Sequence, residues 1–300
     1  MTDLQRAPGT PQGGARTDLD ELRAEAMAWG RRPRRFGSWY ATEHILRAMR
    51  AYGWTIIVGA LGQPIVYLLG LAIGLAALIQ QDIPVPGGGS VPYLVFVAPA
   101  LLMTATMAVA SEEFTYPVLA GFKWRRYFYG LNASPLSSPQ IANGVAMAAS
   151  ARMFVAAAAY YLFIWAFGLV FSIPTVPEPA TAWLTIPIGI LVGLSFGLPI
   201  MAYAASIEDD RGQFALIQRF LFMPMFLFSG TFYPLTTLPI WLQWIGWISP
   251  LWHATELGRI VSYGSAADAP LLWLHLGYLV LLAAVGYAFV RRAFSSRLAK

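Results

Sequence analysis

Two adjacent glutamates, Glu112 and Glu113, close an apolar run that reads YLVFVAPALLMTATMAVASEE over residues 93–113. A carboxylate at the end of a segment otherwise suited to lipid needs a counter-ion, a proton or water, and ionisable groups at such depths are functional candidates. The cations on offer are Arg152 and Arg219, each inside another apolar run. The chemistry is that of a gating ion pair, with a structural pair or side chains snorkelling to the interface as the alternative. A second spot is His253 with Glu256, spaced i, i+3. Two candidate ligands without a third make neither a zinc site nor an acid–base centre, and His275, in the last apolar run, reads as a packed or interfacial histidine. Cysteine is absent, which excludes disulfides, thiolate metal sites and a cysteine nucleophile. No G-x-x-x-x-G-K-[ST] occurs: the two lysines, Lys123 and Lys300, sit in GFKWRR and at the C-terminus, so the chain carries no phosphate-cradling loop.

The elements that must hold these residues are membrane helices. Apolar residues make up 57 % of the 300 and charged residues 12 %, about half the charge of a soluble domain. Six stretches approach the ~20 apolar residues that cross a bilayer: 54–79, 93–111, 145–171, 183–205, 214–233 and 271–290. An even number puts both termini on one side. Seventeen basic residues lie in 1–53, in the second and fourth connections and at the C-terminal end, against only Arg259 in the connections at 80–92, 172–182 and 234–270. That asymmetry predicts N-in, C-in. The expected fold is therefore an all-α integral membrane protein. No cleavable signal is expected, because the first apolar run begins only at Trp54.

Residues 1–35 are rich in Pro, Gly and Arg and are expected to be a flexible cytoplasmic N-terminus. Residues 36–52, FGSWYATEHILRAMRAY, set apolar and aromatic residues at helical spacing with Glu43, Arg47 and Arg50 between them, the pattern of an amphipathic helix on the inner membrane surface. Near the other end, Gly230, Pro234 and Pro239 break the fifth run, yet the residues that follow, PIWLQWIGWIS, are too apolar for a loop in water. The compromise is a re-entrant helical pair over 234–252, with Trp241 and Trp244 at the outer interface.

FLFSGTFYPLTTLPIWLQWIGWISPLWHATELGR (226–259) resembles the signature region of type-2 ABC exporter permeases, and YLVFVAPALLMTATMAVASEEFTYPVLAGFKWRR (93–126) is similar to the NodJ-type lipooligosaccharide branch. The resemblance covers 36–300, one transmembrane domain, and leaves out the first 35 residues. It implies a bacterial cytoplasmic-membrane permease that moves an amphipathic cargo outward: a lipid-linked saccharide, a glycolipid or a drug. It also implies a partner ATPase that holds ATP and Mg, no cofactor in this chain, and a homodimer embedded in lipid without nucleic acid. The coupling element falls in 121–140, so Asn132, Ser134, Pro135, Leu136, Ser137 and Ser138 are the expected ATPase-docking residues. Asn and Ser there can also cap short helices, and Pro135 and Pro139 can start them. The pathway candidates, on spans one, two and five, are Gln63, Thr104, Met107, Phe222 and Phe226. Two alternatives stay open from the residues alone. A membrane-embedded acyl- or glycosyltransferase would need clustered acids or histidines. An ion-driven transporter would need mid-span carboxylates and inverted repeats.

Overall fold

The structure is a computed structural model and describes residues 14–75, 79, 82–85, 89–172, 175, 179–264 and 269–299. The chain opens with α1 (Gly14–Trp29) and α2 (Arg31–Met49), the latter kinked at Phe36 (φ −110°, ψ 21°). A 3-10 turn leads into α3 (Gly53–Gly70), which runs on through a π turn at Leu71–Leu75. A hairpin of β1 (Ile83–Val85) and β2 (Gly89–Val91) follows, with Ile83 opposite Val91. Then come α4 (Tyr93–Glu113), α5 (Tyr116–Phe122), α6 (Tyr127–Asn132), α7 (Ser138–Phe171), α8 (Pro179–Ala182) and α9 (Thr185–Ser206). The fifth apolar run folds as α10 (Gln213–Leu216), a π segment (Ile217–Phe222) and α11 (Met223–Phe228). A 3-10 turn at Leu235–Thr237, α12 (Ile240–Trp247), α13 (Pro250–Tyr263) and α14 (Ala269–Leu298) complete the chain.

Five helical stretches among the described residues are long and apolar enough to cross a membrane: Arg34–Gly70, Tyr93–Phe122, Ser138–Phe171, Ala180–Ser206 and Pro270–Leu298. The sixth, Gln213–Phe228, is shorter, about 24 Å at 1.5 Å per residue against a hydrocarbon core of about 30 Å. It stops five residues before the predicted end at 233. Ser229 leaves the helix (φ −92°, ψ 24°) and Gly230 takes φ +71°, a conformation that costs a residue with a Cβ free energy and glycine almost none.

Helix α4 is the hub. It is apolar all round, and most of its residues, from Tyr93 through Met107, are buried, as expected of a helix without a polar face. α7, α9 and α13 pack around it, and α14 lies along α9. The core divides into a group around Leu101, Tyr160, Val192 and Leu251 and a group around Phe114, Phe128, Met201 and Phe294.

Four expectations change. The fold adds the β1–β2 hairpin to an otherwise helical chain, because Pro and Gly in 84–92 stop a helix while backbone pairing still satisfies the amides. Residues 1–13 of the predicted flexible N-terminus lie outside the described residues, but Gly14–Trp29 is helical: DELRAEAMAW is built of good helix formers. The third span begins at Ser138, not 145, because Ser137 and Gln140 form a reciprocal capping box and Pro139 fits the first turn. The last helix runs past 290 to Leu298, held by Arg297, whose Nη1 donates to the carbonyls of Ala205 (2.9 Å) and Ile207 (2.6 Å). A cation at the carbonyl end of α9 satisfies groups the helix leaves open. Residues 36–52 fold as the later part of α2 and the 3-10 turn Arg50–Tyr52, and one face of α2 is taken: Gly37, Ala41, Thr42 and Met49 are buried where α2 packs on α7, while Phe36, Trp39 and Tyr40 stay exposed.

Candidate functional site

At the C-terminal end of α4 the two glutamates meet one arginine. Arg152, on α7, donates through Nη1 to Glu113 and through Nη2 to Glu112 Oε2 at 2.8 Å. Glu113 is buried and Glu112 exposed. The guanidinium fork suits two carboxylates at once, and the pair divides the labour: Glu113 is the desolvated partner that needs the cation, while Glu112 reaches water. Arg219, the other cation considered, makes no ion pair among the described residues and is exposed on the π segment. A cavity of about 100 Å³ between α3, α4 and α7 is lined by Gln63, Gly59, Ala105, Glu112, Arg152 and Tyr160.

The remaining pathway candidates scatter. Thr104 is buried with its hydroxyl on the Ala100 carbonyl (2.9 Å), and Met107 is buried in the core. Phe222 is buried and Phe226 half-buried. Phe226 meets Tyr67 edge-on at 6.3 Å, which ties α11 to α3.

The connection 121–140 is braced from several sides. Asn132 Nδ2 donates to the Leu298 carbonyl (3.2 Å), and its Oδ1 accepts from Ser138 (3.4 Å). Ser134 donates to the Leu131 carbonyl (2.6 Å). Ser134, Pro135 and Ser137 are exposed, and Leu136 is half-buried. The acidic turn at 208–210 supports the same region: Lys123 pairs with Asp209, and Tyr116 donates to Asp210 at 2.7 Å.

Near the N-terminal end of α4 the break in the fifth run is pinned by a side chain of α13. Pro234 precedes the 3-10 turn and Pro239 the first turn of α12, which leaves Trp241 and Trp244 exposed. Helix α13 turns back and packs on α4, α9 and α14. Its Arg259, the lone basic residue counted on the outer side, is not in a loop at all but buried at 3 % exposure. Its guanidinium lies 3.7 Å from the centre of the Phe96 ring. It donates to Glu256 (2.8 Å), to the Gly230 carbonyl (2.6 Å) and to the Phe96 carbonyl (3.4 Å). One side chain thus joins the turn that ends α11 to the N-terminal end of α4. The period 252, 255, 256, 259 already marks an amphipathic face; what sequence could not show is that this face turns inward. Beside it lies a cavity of about 450 Å³ lined by Phe96, Pro234, Trp247, Trp252, Arg259 and His275.

His253 pairs with His275 rather than with Glu256. The two Nδ1 atoms are 2.8 Å apart, and His253 Nε2 is 3.0 Å from the Trp247 carbonyl. A carbonyl only accepts, so neutral His253 carries its proton on Nε2 and accepts at Nδ1 from His275. Burial pushes His253 down to about 4 from 6.5. With a lowered folded pKa, the stability this neutral ring contributes is complete above about pH 6.5 and is lost as the pH falls towards 4. Thermal unfolding in detergent should therefore lose stability faster between pH 6.5 and 4 than in His253→Gln. Parallel curves for the two proteins would exclude this role.

Residues 42–263 match the family described as ABC-2 type transporter. The chain belongs to that family. It is 27 % identical over 240 residues to Nodulation protein J of Neorhizobium galegae, covering 79 % of this chain and 86 % of that one. Identity to Nodulation protein J of Rhizobium leguminosarum bv. viciae is 27 % over 247 residues, with the same shares. The probable multidrug ABC transporter permease YbhR of Escherichia coli (strain K12) is 32 % identical over 168 residues, 54 % of this chain and 43 % of that one. ABC-2 permeases are transport subunits that work with a separate ABC ATPase. This chain is such a subunit, a multi-pass protein of the bacterial inner membrane.

Proposed function

We propose that this chain is the membrane half of an exporter that moves an amphipathic molecule, a lipid-linked saccharide, a glycolipid or a drug, from the inner side outward. Six spans run N-in, C-in, with Gln213–Phe228 as the short fifth. α12 and the start of α13 re-enter from the outside as a cap. Two copies form the pathway, and a separate ATPase, holding ATP and Mg, docks on 121–140 around Asn132, Ser134, Pro135, Leu136, Ser137 and Ser138.

The observation that carries this reading is the double attachment of α4. Its outer end is bound through Phe96 to Arg259 and the turn at Gly230, and its inner end through Glu113 to Arg152 beside a small cavity. One rigid, buried helix thus connects the region next to the docking connection with the capping pair. A shift of α4 at one face must be felt at the other, because packed cores move between discrete arrangements rather than deforming continuously. Two of the relatives bear the names Nodulation protein J and probable multidrug ABC transporter permease, and an amphipathic cargo suits the aromatic and methionine side chains that span five leaves exposed, Phe220 and Met223 among them.

The orientation is tested on a chain without cysteine. Ser137→Cys and Thr236→Cys, both exposed positions, are treated in intact cells with a membrane-impermeant thiol reagent. Thr236→Cys should label and Ser137→Cys should label only after lysis. Labelling of Ser137→Cys in intact cells would invert the topology and remove the docking surface.

A further inference from the structure

Helix α1 has no part in the mechanism above. Its sequence, GARTDLDELRAEAMAW, sets Leu19, Leu22, Ala26 and Trp29 at i, i+3, i+7 and i+10, one stripe on a helix. Every residue from Asp18 to Trp29 is exposed, Trp29 by 76 %. A helix of 16 residues whose described side chains, Asp18 to Trp29, are all exposed is marginal in water, since most helical stability comes from packing an apolar face. The stripe therefore needs a partner.

Charge decides its class. α1 carries four acids, Asp18, Asp20, Glu21 and Glu25, against Arg16 and Arg23. The inner leaflet is anionic and draws basic segments to it. The RRPRR stretch that follows suits that surface; an acidic helix is repelled by it and is left to a protein.

Position decides which protein. The first turns of α2 are fastened to the 121–140 connection. Gln140 Nε2 donates to the Arg34 carbonyl at 2.6 Å. Gly37 comes so close that a Cβ there would lie 2.5 Å from Gln140 Oε1 and 2.8 Å from Leu136 Cδ2. So α1 leaves the body of the protein beside the connection assigned to the ATPase. The family match covers residues 42–263, so α1 lies outside the matched residues.

We propose that the apolar stripe of α1, Leu19, Leu22, Ala26 and Trp29, is a second docking element for the ATPase subunit, laid in a groove of that subunit next to its contact with 121–140. The inference rests on the reading that the ATPase docks on that connection. The mode is that of an amphipathic helix in an apolar groove, here one with basic residues along its rim to meet the acids of α1.

The full-length chain is co-expressed with its ABC ATPase subunit and placed in nanodiscs of mixed zwitterionic and anionic lipid. Leu22→Cys and Ser137→Cys are each charged with a benzophenone maleimide and irradiated. Both are expected to cross-link to the ATPase. Leu22→Asp combined with Trp29→Asp is expected to weaken ATPase binding about tenfold with turnover at saturation unchanged. A Leu22 probe that reaches lipid or a second copy of this chain, while the Ser137 probe reaches the ATPase, overturns the inference and leaves the docking reading intact. Wild-type affinity in the double variant overturns it as well. Two probes that both miss the ATPase remove the docking reading and the inference together.

Discussion

Arg259→Leu is expected to release α13 and the turn at Gly230 and to abolish export. The substitution leaves Glu256 without its cation and strips donors from the Gly230 and Phe96 carbonyls. Removing one member of a buried charged pair costs about 3–5 kcal/mol, because the partner group stays behind desolvated, and the cation–π contact with Phe96 adds to the loss. Arg259→Lys is the informative companion. An ammonium keeps the charge but cannot aim donors at three separate acceptors in the plane a guanidinium provides, so it should recover only part of the lost stability. The readings are the unfolding midpoint in detergent and the accessibility of Thr236→Cys, which should rise as the turn at 230–237 loosens. A wild-type midpoint and unchanged labelling in Arg259→Leu would mean that the buried arginine does not hold the break in place.

Arg152→Gln should produce the second large effect, at the inner face. Glu113 is buried and would keep a carboxylate without a cation, at a cost of about 3 kcal/mol, the lower end for a buried pair because Glu112 and part of Arg152 meet water. Adding Glu113→Gln to Arg152→Gln removes the uncompensated charge and should restore most of the midpoint. Export separates a gating pair from a structural one: a gating role predicts a double variant that is stable and inactive, a structural role one that is stable and active. A single Arg152→Gln as stable as the wild type would contradict the geometry at its root.

Five of the six apolar runs were legible as helices long enough to cross a membrane because the bilayer demands long apolar segments whatever their neighbours, whereas their ends were not: α7 starts at Ser138, α11 stops at Phe228 and α14 runs on to Leu298. The connection 121–140 was legible as a basic stretch with capping residues, of which Ser137 is the N-cap of α7. The choice of Arg152 over Arg219 was not legible: both lie in apolar runs, and only the rotation of α7 against α4 turns one of them towards Glu113. Arg259 was hidden for the opposite reason. In sequence it is a lone arginine in an outer connection, and its burial depends on α13 folding back onto α4, which no local pattern records. His253 was matched with Glu256 by spacing, whereas its partner, His275, lies on another helix 22 residues on. Asp209 and Asp210, in a short turn, tie to Lys123 and Tyr116 about 90 residues earlier in the chain. Each miss is a contact between elements distant in sequence.

Vesicles that contain the purified chain alone are expected to hydrolyse no ATP and to move no labelled amphipathic probe between leaflets. With the ABC ATPase subunit present, hydrolysis and probe movement should appear together, and Leu136→Asp should reduce both by putting a charge into the braced connection 121–140, the proposed docking site. ATP hydrolysis by the chain alone, or probe movement at the same rate with and without the ATPase, would contradict the assignment of this chain as the transport half of an ATP-driven exporter.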